Sequence, residues 1–270
     1  MKKAMCWMII MTILFVTGCS NEPFAVPGQE EKDRAEADIM IVGNDTEMEP
    51  SPYLDETSAE EKEPQHNSML LTAQVGDVIT FGRYEQDNNT ENGPEELKWI
   101  VLDTNGSDIL VISEQIIDAI VYIYLSTDPN RSTTWESSYI REWLNDDFYE
   151  TSFTAIEQHH IAVTTVENEH LETTDKKYLI YPFKSGNNTQ DRIFLISLDE
   201  LLQYFPERAD RVCTETEYAA EKRIKEKSQF WMLRTPVEGT YVLTVMDKGA
   251  INGYIGMRLG IRPAMWLHRI

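Results

Sequence analysis

The stretch Leu97-Lys98-Trp99-Ile100-Val101-Leu102-Asp103-Thr104-Asn105-Gly106-Ser107-Asp108-Ile109-Leu110-Val111-Ile112-Ser113 decides the fold class. Two apolar runs rich in β-branched residues, Leu97 to Asp103 and Asp108 to Ser113, flank Asn105-Gly106. Both turn residues tolerate positive φ, so the pair is a strong short hairpin signal. Ahead of it, Val78-Ile79-Thr80-Phe81 reads as a further strand, followed by Gly82-Arg83-Tyr84, and residues 87–94 are polar and turn-rich. The globular part therefore opens with β-structure from about Leu70.

Downstream the hydrophobic period changes. Tyr139, Ile140, Trp143, Leu144 and Phe148 recur at three- and four-residue steps, the pattern of a helix face. Thr133-x-x-Glu136, Thr154-x-x-Glu157, Ser197-x-x-Glu200 and Thr214-x-x-Glu217 have the spacing of capping boxes, and Pro206 should stop the helix opened at Ser197. Ile161 to Val166 and Arg192 to Ile196 read as strands between helices. The C-terminal quarter returns to β: Phe230 to Arg234, then Tyr241 to Met246 and Ala250 to Tyr254 around a tight turn at Asp247-Lys248-Gly249, then Ile261 to Leu267. Strands at both ends with helices between predict a single α+β domain over 70–270.

The front of the chain differs. Lys2 and Lys3 precede an apolar run from Ala4 to Val16, and Val16-Thr17-Gly18-Cys19 closes it. This is the layout of a secretory signal. A spanning helix needs about 20 apolar residues, more than this run holds. An ordinary signal-peptidase site wants small-x-small, which Val16-Thr17-Gly18 fits poorly. The closing four residues resemble the bacterial lipobox. That resemblance implies a diacylglyceryl group on the Cys19 thiol and cleavage just before it. Residues 1–18 would be a signal peptide, and Cys19 the start of an extracytoplasmic chain held to a membrane by lipid.

Charge sorts the remainder. The chain carries −22 overall. Residues 20–68 contain fourteen acids and three bases, a net of −11 and half of that total. With few apolar residues and with Pro23, Pro27, Pro50, Pro52 and Pro64, this stretch cannot bury enough surface to offset its ordering entropy. Residues 19–69 therefore read as a disordered acidic tether, roughly 40 Å in span as a flexible coil and longer under its own repulsion. So acidic a surface argues against nucleic acid, which needs a basic footprint. Of the three cysteines, Cys6 leaves with the signal and Cys19 takes the lipid. Cys213 alone remains, so no intrachain disulfide is available and a buried thiol is expected.

Candidate chemistry is sparse. No P-loop, nucleophile elbow or dinucleotide glycine motif occurs. His66, His159, His160, His170 and His268 show no metal-ligand spacing, and adjacent His159 and His160 read as solvated residues at a helix end. No metal, cofactor or catalytic residue is assigned. Trp135, Trp143, Trp231 and Trp266 are large apolar side chains that either pack the core or stack a sugar, with core packing favoured. Arg141, Arg234 and Arg262 lie within apolar motifs and need partners, since an unpaired buried charge is very costly. Asp191, Glu142 and Asp146 are the candidates. The best binding surface is the hairpin region from Val237 to Leu259, where Tyr241, Asp247, Lys248, Asn252, Tyr254 and Arg258 mix aromatic and polar groups.

Several motifs in order carry a family resemblance: Gly82-Arg83-Tyr84-Glu85-Gln86-Asp87, Trp99-Ile100-Val101-Leu102, Ile140-Arg141-Glu142-Trp143-Leu144-Asn145, Asp191-Arg192-Ile193-Phe194-Leu195-Ile196-Ser197, Trp231-Met232-Leu233-Arg234-Thr235-Pro236 and Gly260-Ile261-Arg262-Pro263-Ala264-Met265-Trp266-Leu267. From about Val75 onward the chain resembles the bacterial family called domain of unknown function 6273, which has no assigned activity to carry over. The last forty or so residues also resemble C-type-lectin-like folds, without the calcium-site tripeptides of true C-type lectins. The expectation is a membrane-anchored extracytoplasmic lipoprotein with a binding domain for an envelope glycan, a peptide or another protein. A hydrolase acting on cell-envelope material and a structural envelope protein are the alternatives, the missing catalytic signature favouring binding.

Overall fold

The computed structural model describes residues 70–123, 134–168, 183, 186–223, 229–237, 241–255 and 258–269, all within the unit Thr57–Ile270. The readings of the signal, the acidic stretch and Cys19, and those placed on Thr133, His66 and His170, lie outside the described residues. The remainder is a mixed α+β fold, as its sequence pattern predicts.

Strand β1 (Val78–Tyr84) pairs with β2 (Glu95–Thr104), and β2 with β3 (Asp108–Ser113), all antiparallel. Asn105 closes the β2–β3 turn, its N–H donating to the Asp108 carbonyl at 3.1 Å. Strand β11 (Ala264–His268) returns from the far end of the sequence to pair with β3, giving a four-stranded sheet in the order β1-β2-β3-β11. The second sheet has the order β4-β10-β7-β8-β9, from Asp118–Ile120, Leu259–Ile261, Trp231–Pro236, Tyr241–Val245 and Ile251–Ile255. A small ladder joins β5 (Thr164–Val166) to β6 (Thr189–Asp191). One hydrophobic cluster runs through both larger sheets and takes in Trp99, Trp135 and Trp231, all buried.

Three expectations change at the strands. Ile261 to Leu267 is not one strand: Pro263 interrupts it, β10 belongs to the second sheet and β11 to the first. The chain from β3 to β4 makes the same step alongside. Ser113 N–H donates to the Pro263 carbonyl at 2.9 Å and Ile117 N–H to that of Ile261 at 3.1 Å. Arg192 to Ile196 is likewise not a strand; only Phe194 makes a bridge there, to Ala264, and the ladder lies just before it. Of Ile161 to Val166, the last three residues form β5, while Ile161 bridges Leu267.

Among the described residues, five short α-helices lie between β4 and β7 in sequence: α1 (Tyr139–Asn145), α2 (Asp147–Ser152), α3 (Ala155–His160), α4 (Leu198–Tyr204) and α5 (Glu217–Lys222). The boxes at Thr154 and Ser197 form with both reciprocal hydrogen bonds, and α4 ends before Pro206. Two caps fall later than their sequence spacing suggests. Ser138 caps α1, accepting from Arg141 N–H, and Thr216 caps α5, accepting from Ala219 N–H. Among the described residues no helix is long and apolar enough to cross a membrane.

Candidate functional site

The arginines and tryptophans singled out in the sequence join elements. Asp191 is 1% exposed and accepts three side-chain donors: Arg141 Nε at 2.6 Å, Trp135 Nε1 at 2.7 Å and Thr189 Oγ1 at 2.7 Å. Of the three expected carboxylate partners, only Asp191 serves. Arg234 turns instead to Glu200 at 2.9 Å, and to Asn168 Oδ1 and the Leu195 carbonyl. Among the described residues, Arg262 has no carboxylate in contact. Its Nε and one terminal nitrogen donate to the Ser113 carbonyl at 3.0 and 2.8 Å, and its guanidinium lies 5.0 Å from the Trp231 ring and 5.5 Å from Phe205. Burial pulls its pKa down, opposed by the field of Cys213 and Glu114. Fixed at the paired crossing, Arg262 holds the two sheets in register. Trp143 and Trp266 are half-buried against the core.

The expected hairpin surface is exposed but does not converge. Tyr241, Asp247, Lys248, Asn252, Tyr254 and Arg258 all reach solvent. Tyr254 lies opposite Val242 in the ladder and shares its face, while Tyr241 is one residue earlier and points the other way. The turn at Asp247-Lys248 stands beyond the other end of β8, which is itself about 13 Å from Tyr241 at about 3.3 Å per residue. Nor is that turn a free loop. Gly249 has φ +69°, and a Cβ there would lie 1.8 Å from the Arg208 carbonyl oxygen, so the turn is docked on the chain just after Pro206.

The histidines depart from expectation too. His159 is exposed, but His160 is buried, with Nδ1 3.1 Å from the His268 carbonyl and its ring edge-on to Phe81. It faces inward because α3 packs against the first sheet. Cys213 is buried as expected, 6% exposed, with Sγ 3.2 Å from the Glu114 and Thr214 carbonyls. Burial raises its pKa against the opposing charge of Arg262.

A cleft of about 310 Å³ opens elsewhere, between the β1–β2 ribbon and the link from α2 to α3. Its origin is local. The β1–β2 register slips between Thr80 and Arg83, making a bulge that contains Gly82 at φ +73°. A Cβ at Gly82 would meet the Phe153 ring at 2.5 Å and the Ser152 carbonyl oxygen at 2.8 Å, so only glycine lets the link approach. Glu157 fastens the two sides. Its Oε1 accepts from Gly82 N–H at 2.9 Å, and its Oε2 accepts from Thr154 N–H at 2.8 Å and Thr154 Oγ1 at 2.9 Å. Arg83 and Glu96 form an exposed ion pair at 3.3 Å on the rim. Ser152 lines the cleft at 3% exposure; its Oγ is sealed from solvent and, among the described residues, has no hydrogen-bond partner.

Beside the cleft, the end of β1 meets a second polar cluster. Asp118 is buried, accepting from Tyr84 Oη at 2.5 Å and from Lys222 Nζ at 2.8 Å. The ammonium also lies 4.0 Å from the Tyr218 ring centre. Burial, then the Asp118 charge, drives the Tyr84 hydroxyl pKa far above its usual value. Burial pulls Lys222 down, but its hydrogen bonds to Asp118 and Tyr218 prevail and raise it. The cluster locks β1, β4 and α5 together. On the neighbouring loop, Glu85, Asp87 and Glu95 bring carboxylate oxygens within 4.8 Å of one another. Each accepts a backbone N–H of that loop, from Asn89 or Gln86, which accounts for their grouping. The Asn92 amide holds the Asp87 carboxyl below its usual range.

The chemistry of the cleft follows from its lining. It holds no His, Cys, Lys or Tyr, so the Ser152 hydroxyl has no base beside it. Both Glu157 oxygens are occupied, and Glu96 is paired with Arg83. The arrangement can hold a ligand but offers no acid–base pair.

Comparison with known proteins bears on the scaffold. The family model described as a domain of unknown function (DUF6273) matches residues 106–269. The chain belongs to the DUF6273 family. The match takes in the Trp135–Arg141–Asp191 junction, Arg234 with Glu200, and Arg262. It begins after Gly82, Arg83, Pro94 and Glu96, so half of the cleft wall precedes the DUF6273 region. No curated protein matches, and no solved structure matches.

Proposed function

We propose that this DUF6273 protein is an extracytoplasmic lipoprotein, held to a membrane through a lipid on Cys19, whose domain binds a ligand in the cleft beside Gly82 and performs no catalysis. The observation that carries the anchoring is the order of positive charge, apolar run, glycine and cysteine in residues 2–19. A lipid chain on Cys19 with an acidic stretch behind it would let the domain stand off the membrane surface rather than lie on it. The binding role is supported by a cleft of ligand size between the β1–β2 ribbon and the link from α2 to α3. The hydrolase alternative needs two available carboxylates, one of them a proton donor. Glu157 and Glu96 are the cleft's two acids, and both are tied up in other contacts. The C-type-lectin-like likeness of the closing strands suits a binding role and contributes no residue to the cleft.

The test of anchoring is metabolic labelling with a palmitate analogue in the native host. Cys19→Ala should remove the label and shift the protein from the membrane pellet to the soluble fraction. Unchanged labelling in that variant would overturn the anchoring.

A further inference from the structure

We propose that Asn105, at the exposed turn between β2 and β3, is a self-modifying site: the Gly106 peptide nitrogen closes on its side-chain amide, ammonia leaves, and water opens the ring to aspartate or isoaspartate. The reaction takes only water and is independent of what the cleft binds.

Three Asn-Gly pairs occur in the chain, at Asn92, Asn105 and Asn252. Glycine matters at the second position because it has no Cβ to crowd the attack. The local chemistry is the same at all three, and hydrogen bonding separates them. At Asn92 the leaving group is held: Nδ2 donates to Asp87 Oδ2 at 2.8 Å. At Asn252 the nucleophile is held. Gly253 N–H donates to Asn252 Oδ1 at 3.0 Å, inside β9, which pairs along its length with β8. Asn105 is arranged the other way round. Asn105, Gly106 and Ser107 are all exposed, and among the described residues neither Gly106 N–H nor Asn105 Nδ2 makes a hydrogen bond. Gly106 has φ +91°, with nothing within 4 Å of where a Cβ would sit, so the peptide has room to rotate. What is held is the carbonyl oxygen: Asp108 N–H donates to Asn105 Oδ1 at 3.0 Å.

That donor points at the atom on which charge develops. A base in the solvent takes the Gly106 N–H proton, the nitrogen forms a bond to Asn105 Cγ, and an electron pair moves onto Oδ1, where Asp108 N–H stabilises it. The Cγ–Nδ2 bond then breaks, and Nδ2 leaves as ammonia after taking a proton from water. The ring that remains is a succinimide. Water adding at Cγ gives aspartate; water adding at the backbone carbonyl carbon gives isoaspartate. The sum is one water in and one ammonia out. The aspartate keeps an oxygen for Asp108 N–H. The isoaspartate lengthens the β2–β3 link by one backbone atom, next to Asp108, which pairs with His268 at 2.8 Å where β3 meets β11. Either product adds a negative charge between Asp103 and Asp108.

The experiment incubates the full chain in oxygen-18 water at pH 7 and at pH 9 and follows all three sites by peptide mass mapping. Isoaspartate is counted with a protein isoaspartyl methyltransferase. A hydrogen bond that must break before reaction slows a site by about threefold to tenfold. Asn105 should therefore convert first, by about that factor over Asn92 and Asn252. Its product should carry oxygen-18, include both isomers and form faster at pH 9, because the peptide N–H must lose its proton. In urea the three rates should converge, since the bonds that separate them are gone. Asn105→Asp should remove the leading conversion and leave the two slower ones. The proposal fails if Asn105 converts no faster than Asn92 or Asn252 in the folded chain, or if its lead survives unchanged in urea. A product without oxygen-18, or a leading conversion that persists in Asn105→Asp, would overturn it as well.

Discussion

Removing the Asp191 carboxylate should strongly destabilise the domain. Asp191 is 1% exposed and takes Arg141 Nε, Trp135 Nε1 and Thr189 Oγ1, three donors on helix, loop and strand. In Asp191→Ala all three lose their acceptor at once. The Trp135 indole N–H is the worst placed, because that side chain is 1% exposed and water cannot replace the carboxylate. Arg141 is 27% exposed in its side chain and recovers part of its loss from solvent. Breaking one partner out of a buried pair costs about 3–5 kcal/mol, and the partial exposure of Arg141 places this case near 4 rather than 5. A typical domain has about 5–15 kcal/mol in total. At about 2–4 °C per kcal/mol for a domain near 200 residues, Tm should fall by about 8–16 °C. Asp191→Asn keeps one acceptor oxygen for Trp135 and should cost about half as much. Urea unfolding followed by tryptophan fluorescence measures both, since Trp135 sits at the broken contact. Arg141→Ala combined with Asp191→Ala should cost clearly less than the sum of the two single changes, by about 1 kcal/mol or more. A loss under about 1 kcal/mol for Asp191→Ala, or strict additivity of the pair, would refute the reasoning.

Two further outcomes follow from other parts of the fold. Gly82→Ala places a Cβ 2.5 Å from the Phe153 ring at a residue with φ +73°, and should lower stability by about 2–4 kcal/mol, read as a shift of the urea midpoint. A midpoint within experimental error of wild type would mean that the link from α2 to α3 does not lie against the bulge. The Cys213 thiol, buried and held protonated, should stay unreactive to dithionitrobenzoate as pH rises from 7 to 9, a range in which an exposed thiol gains reactivity. It should react fully in urea; rapid native-state labelling would place it at the surface instead.

How much of this was readable beforehand depends on the range over which each feature acts. The β2–β3 hairpin is settled by a single turn and two flanking runs, and it forms as its sequence predicts. Capping boxes involve four residues, and the two at Thr154 and Ser197 form complete. The partners of the buried arginines are another matter. Arg141 and Asp191 are fifty residues apart, and Arg234 and Glu200 thirty-four. Burial demanded an acid for each, but no local pattern says which. Arg262 needed no acid, because a carbonyl and two aromatic faces receive it at the crossing between sheets. Ile261 to Leu267 looked like one strand because apolar alternation continues across it. Pro263, which cannot donate to a ladder, is the residue that divides it.

The cleft was hidden for the same reason, and its parts show why family membership and function separate here. Thr154-x-x-Glu157 is legible as a cap, yet the cap uses only one oxygen of Glu157. The other reaches Gly82, seventy-five residues earlier, and that contact makes the wall of the cleft. Gly82 itself reads as a glycine after a strand; its need for positive φ appears only once Phe153 is seen against it. The DUF6273 match, residues 106–269, contains the link from α2 to α3 but not the bulge that faces it. Ser152, Phe153 and Glu157 therefore belong to the shared scaffold, while Gly82, Arg83, Pro94 and Glu96 come from the preceding ribbon. The scaffold supplies the fastening carboxylate of Glu157; the ribbon supplies the rim charges and the apolar wall. Under the proposed binding role, selectivity is set mainly by the ribbon, so exchanging residues 82–96 for those of another family member should change what the cleft accepts without disturbing the Asp191 and Arg262 junctions that hold the fold.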